Sequence, residues 1–187
     1  MPTFRYISGE EPLTLSGAKK VGPMQICQVV DGPWHVRLDS ATVVFEPSAY
    51  GGTGAEVRVG MVLHLNEEQL DQIRQSEEKL RGQLEGTQGQ PASARWQSSI
   101  KESDGQYEAK FRPKVNKDRV KILSEDFEAA TGSVAAAWSA WPSSWRGRTI
   151  DAVVRIGGTY CQSKSCGPLW EVTHVHFQPE VGENPFA

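Results

Sequence analysis

Residues 106–123, QYEAKFRPKVNKDRVKIL, carry the most suggestive chemistry in the chain. Lys110, Arg112 and Lys114 occupy alternate positions, and Tyr107, Phe111 and Val115 lie among the odd positions of the same run. Successive side chains of an extended strand point to opposite faces. One face is then cationic and the other apolar. After Asn116-Lys117-Asp118 the alternation resumes, with Arg119 and Lys121 set against Val120 and Ile122. Two such strands place at least five basic groups on one surface, which suits the phosphates of a polyanion. A solvated sheet face produces the same pattern, so both readings stand on the sequence.

A second constellation joins indoles to guanidinium groups. Trp138, Trp141 and Trp145 are spaced by three and four residues, and Arg146 and Arg148 follow. A helix over residues 133–141 puts Trp138 and Trp141 on one face, with Pro142 ending it and redirecting Trp145. Exposed rings of this kind stack on unpaired bases, and the adjacent arginines reach phosphates. The competing reading is that the rings fill the core. Tyr160, after Gly157-Gly158, is a further stacking candidate.

Other chemistry is weaker. Cys161, Cys166, His174 and His176 are four residues of the types that ligate structural zinc. The spacing of the two cysteines is wide for a zinc knuckle, and residues 162–168 read more simply as a loop between antiparallel strands. No metal and no cofactor is expected. Cys27 reads as a buried small hydrophobe. The glycine-rich residues 48–56 lack the Gly-Lys-Ser/Thr ending of a phosphate loop. There is no Gly-x-Ser-x-Gly, His-Glu-x-x-His or dinucleotide fingerprint, so the chain reads as non-catalytic.

Composition sets the outer bounds. The chain has 187 residues and a formal net charge of −3, so nucleic-acid contact requires a local basic patch rather than bulk charge. No apolar run is long enough to cross a bilayer, and the N-terminus lacks the order of a signal peptide. Three cysteines, an odd count, argue against a disulfide framework and for a reducing compartment, cytoplasmic or nuclear.

The elements that position these groups are mostly strands. Residues 24–30, 34–38, 41–45 and 57–65 alternate or are rich in β-branched residues. A helix follows: Asn66 is its N-cap, Gln69 sits at the capping-box position, and Leu70, Ile73, Leu80 and Leu84 form one stripe. Its polar face reads as solvated. Residues 87–95 look like a linker, which divides the chain into a β-rich lobe, 1–86, and a second lobe, 96–187. Ser124 opens a short helix, residues 149–156 form a strand, Gly157-Gly158 permits a bulge, and residues 169–177 form a last strand with Trp170, Val172, His174 and His176 on one face. The fold class is α+β and mostly β, with one longer helix and one or two short ones.

The order of these features resembles the single-stranded DNA-binding proteins of large DNA viruses and phages. The resemblance rests on the basic strand pair, the Arg-Gly-Arg and VVRIGGTY segment (153–160), the CGPLWEVTHVHF strand (166–177), and DGPWHVRL and EEQLDQI in the first half. It implies OB-like antiparallel barrels, with about five strands and a helix between the third and fourth. The first half puts its helix after its last strand, a departure from that order. It implies a groove in which Lys110, Arg112, Lys114, Arg119 and Lys121, with Arg146 and Arg148, contact phosphates while Trp145, Tyr160 or Tyr107 stack on bases. The implied partner is single-stranded DNA or RNA, with no membrane. The alternative is a structural or adaptor β-protein that binds a protein partner, or another copy of itself, through the same basic and Trp-rich surface.

Overall fold

The structure is a computed structural model that describes residues 4–9, 13–30, 32–49, 52–86, 95–102, 108–127, 135–136, 138 and 144–180. Its spine is a long hairpin. β12 (Thr149–Gln162) and β13 (Ser165–Phe177) pair antiparallel from Ile150↔Phe177 to Gln162↔Ser165. Both sequences carry β-branched residues throughout, with Tyr160, Trp170 and Phe177 among them, which suit a pleated, half-buried surface.

One edge of β12 takes two partners in turn. β3 (Trp34–Val43) covers it as far as Ile156, and β2 (Met24–Gln28) takes over from Gly158. The expected bulge lies at the changeover, where the β12–β13 register shifts between Ile156 and Thr159. Gly158 has φ 153°, and a Cβ there would sit 2.0 Å from the Cys27 carbonyl oxygen, so only glycine fits. β2 also pairs with β1 (Lys19–Val21).

The outer edge of β13 takes three parallel partners along its length. They are β6 (Arg95–Trp96), β9 (Lys114–Asn116) and β10 (Lys121–Leu123). β10 also pairs with β11 (Ala135–Ala136). β9 and β10 are therefore not a hairpin. They run in the same direction, interrupted by one turn in which the amides of Arg119 and Val120 donate to the Asn116 carbonyl.

The remaining strands close the barrel. β3 pairs with β5 (Leu63–His64), and β5 with β8 (Lys110–Phe111), which also pairs with β7 (Ile100–Lys101). β4 (Arg58–Gly60) pairs with β9, and β9 returns to β13. The circuit β3, β4–β5, β8–β9, β13, β12 and back to β3 has the five strand positions of an OB-like barrel. It draws on strands from both sides of residues 87–95, and the described residues before and after that stretch contribute to one sheet and one core. The reason is pairing: β3 pairs antiparallel with β12 and β4 with β9, each across residues 87–95.

Helix α1 (Glu67–Gly86) falls between the second and third barrel positions, not the third and fourth. Its capping box forms as expected, with the Gln69 amide donating to Asn66 Oδ1 at 2.8 Å and the Asn66 amide donating to Gln69 Oε1 at 3.4 Å. Leu70, Ile73 and Leu80 enter the main core, and Leu84 packs with the cysteines. Each such side chain contributes about 1.5–3 kcal/mol on burial. The polar flank is not simply solvated. Gln72, Lys79 and Gln83 donate to the carbonyls of Ile7, Gly9 and Leu13, which ties the N-terminal segment to the helix. Ser76 and Glu77 are buried outright.

Among the described residues α1 is the only α-helix. The short helix expected after Ser124 falls largely on residues outside them, and the helix expected over residues 133–141 is replaced at Ala135–Ala136 by β11.

Candidate nucleic-acid interface

The predicted alternation in residues 110–122 holds. Phe111, Val115 and Ile122 are fully buried and Val120 nearly so, while Arg112, Lys114, Arg119 and Lys121 are exposed. The inward set follows from the pleat of strands packed on the barrel interior. The outward set divides, because β9 and β10 lie at different points along β13.

Arg112 and Lys114 line an open groove of about 580 Å³ on the face of the second and third barrel positions. Arg58, from β4, and Lys101, from β7, line it too. Among the described residues no carboxylate lies within ion-pair distance of any of these four. Their charge is therefore available to a ligand.

Tyr160 is the predicted aromatic residue that reaches this groove. It pairs across the hairpin with Gly167, and its ring lies over that glycine. A Cβ at Gly167 would come within 2.9 Å of Tyr160 Cε1 and 2.7 Å of the Gln97 carbonyl oxygen. The absent side chain at Gly167 leaves room for the ring, which is half-buried. Burial raises the pKa of its hydroxyl. Pro168, Leu169 and Trp170 complete the apolar side of the groove.

The other predicted cations lie away from the groove. Lys110 Nζ sits 3.1 Å from His64 Nδ1 and 3.4 Å from Glu108 Oε2. Arg119 is 3.2 Å from Glu171 Oε1, which also takes Arg155 at 3.4 Å. Lys121 is exposed beside His174, its partner in the β10–β13 register.

The Trp–Arg constellation is a structural corner. Trp145 is 4% exposed, stacks on Trp138 at 4.3 Å between centroids and meets Phe177 edge-on at 4.7 Å. It is core, and no base can stack on it. Arg148 lies over Phe177 and pairs with Glu180 at 2.6 Å. The Arg146 amide donates to Glu46 Oε1 at 2.9 Å, beside the Trp145 amide and the Ser144 hydroxyl. Burial raises the pKa of Glu46, but these bonds from Ser144, Arg146 and Trp145 outweigh it and hold the carboxyl below its ordinary value. The Arg146 side chain is exposed, beside Arg148 rather than beside the groove. Tyr107 and Trp141 lie outside the described residues.

The cysteines and histidines do not converge. Cys161 and Cys166 face each other near the hairpin tip, 4.1 Å apart at Cα, and form a disulfide. The odd cysteine count argued against a disulfide framework, but this pair is bonded; Cys27, the third cysteine, is buried and outside the disulfide. His174 and His176 lie at the far end of β13. Thr173 is the extra residue of a second bulge, where Val153 pairs with His174 and Val154 with Val172. The bulge turns both histidines away from the face of Trp170 and Val172. His174 is 8% exposed, packed edge-on against Phe4 and Phe127. Burial, then Lys121 and His35, lowers its pKa to about 4.

Sequence reasoning missed Arg58 and Lys101. Each directly adjoins an inward residue, Val59 or Ile100, so the alternation that marked Arg112 marks them as well.

A closed barrel with an open basic groove across its second and third strand positions is an OB-like fold. No family model matches the chain, and no curated protein matches it significantly. Solved structures do. The chain is similar to the single-stranded DNA-binding protein from bacteriophage Enc34 in complex with ssDNA, with 12% identity, a TM-score of 0.53, and coverage of 89% of this chain and 96% of that one. A C-terminal truncation of that phage protein gives 13% identity, a TM-score of 0.52, and coverage of 89% and 95%. At such identity the likeness establishes the fold.

Proposed function

We propose that this protein is a non-catalytic single-stranded DNA-binding protein, and that the groove is its binding surface. The observation that carries the reading is the convergence of Arg58, Lys101, Arg112 and Lys114, unpaired among the described residues, around the half-buried ring of Tyr160. The cations follow the phosphates, and Tyr160 stacks on a base whatever its identity, so binding is sequence-tolerant. The likeness to a phage protein solved in complex with ssDNA supports the same reading. Duplex DNA buries its base faces and denies Tyr160 a partner.

Titration of a labelled oligo-dT at two salt concentrations tests this. Four neutralised phosphates give a salt slope near −2.8, so affinity falls about 50-fold between roughly 50 and 200 mM salt. Absence of binding at the lower concentration rejects the reading. Equal affinity for duplex of the same length rejects the stacking part. An RNA oligonucleotide of matching sequence reports whether the groove discriminates the sugar.

A further inference from the structure

We propose that Glu77, on the buried stripe of α1, is the positioning residue of this groove, holding residues 97–101 and Trp170 where Lys101 and Arg112 can face one strand together. The inference rests on the single-strand reading of the groove. Glu77 is 3% exposed and continues the core-facing spacing of Leu70, Ile73, Leu80 and Leu84, where an apolar residue is the ordinary choice. Its carboxylate is nonetheless fully used. Ser98 Oγ donates to Oε2 at 2.6 Å. Oε1 accepts from the Ser99 amide at 3.1 Å, from the Ser99 hydroxyl, and from Trp170 Nε1 at 3.1 Å.

All three donor residues line the groove. From them the connection runs directly to the cations. The Ser99 carbonyl accepts the Arg112 amide at 2.8 Å, and Ser98 Oγ accepts the Ile100 amide at 3.0 Å, one residue before Lys101. One carboxylate therefore sets the wall that carries Lys101, the backbone register of Arg112 and the orientation of Trp170. A neutral or shorter side chain cannot satisfy these donors at once. The segment stays anchored without Glu77, because the Gln97 amide donates to the Cys166 carbonyl at 2.6 Å. Loss of Glu77 should therefore loosen the wall locally and leave the barrel closed.

Oligo-dT binding of the full chain is compared for wild type, Glu77→Gln, and a Ser98→Ala/Ser99→Ala double variant, across roughly 50–200 mM salt, with thermal unfolding in parallel. Both variants should bind about 5–20-fold more weakly at low salt. Their salt slopes should flatten by about 0.7–1.4, the signature of one or two lost phosphate contacts. Adding Glu77→Gln to Lys101→Ala should cost less than the two single effects combined. A merely structural role lowers the melting temperature but leaves slope and affinity of the folded protein unchanged, and that result overturns the inference while wild-type binding keeps the functional reading. If Glu77→Gln does not fold, the serine double variant decides by the same criteria. Wild-type protein that binds no oligonucleotide overturns both.

Discussion

The groove and the Trp145–Arg148 corner are written in the same alphabet, arginines beside aromatic rings, yet they are built for different ends. In the groove Arg58, Lys101, Arg112 and Lys114 face solvent without a carboxylate among the described residues, and Tyr160 rests on a glycine with its ring half-buried. In the corner Trp145 is enclosed by Trp138 and Phe177, Arg148 pairs with Glu180, and Glu46 gathers the backbone amides. Residue type does not separate the two. What separates them is whether a distant chain segment has already supplied a partner: in the corner Glu46, Phe177 and Glu180 come from strands and loops far away in sequence, and in the groove the corresponding places are left open among the described residues.

The largest expected effect breaks the comparison from the groove side. Reversing Arg112 and Lys114 to glutamate replaces attraction with repulsion at both positions and should abolish oligonucleotide binding at any salt, while thermal unfolding stays near wild type because both side chains are exposed. A variant that binds normally would show that the ligand, if any, lies elsewhere. On the corner side, Trp145→Ala should lower unfolding free energy by about 3–5 kcal/mol, measured by urea titration, and leave the affinity of the folded fraction unchanged. Weakened binding with unchanged stability would put Trp145 back among the base contacts. Tyr160→Ala should cost about 1–3 kcal/mol of binding, the worth of one stacked base. Tyr160→Phe should retain most of that binding.

The smallest effect concerns pH. His174 has a folded pKa near 4, below the ordinary 6.5. The unfolded chain thus binds a proton that the folded one refuses between those values. Its contribution to stability is complete above about pH 6.5 and is lost as pH falls toward 4. His174→Phe should flatten that part of the melting-temperature profile, and an unchanged profile would reject the assignment.

The strand alternations, the capping box and the Gly157-Gly158 bulge were all legible because each is a local periodicity or a local steric demand. Leu70 and Phe111 face inward by the same 3.6- and 2-residue periods that foretold it. The mostly-β class followed from those periods, and so did the outward direction of Arg112 and Lys114.

The apparent division at residues 87–95 was a local signal too, but the barrel overrides it, because strand pairing ignores distance along the chain. The same holds for the charges. Glu171 lies 52 residues from Arg119 and takes it out of the basic array. Trp170, 93 residues from Glu77, supplies one of the donors that make a buried carboxylate tolerable. Local spacing could say which way each side chain points. That Glu171 meets Arg119, and that the Tyr160 ring stays uncovered while Trp145 does not, depended on long-range pairing of strands, and no short window of the chain holds both members of such a pair.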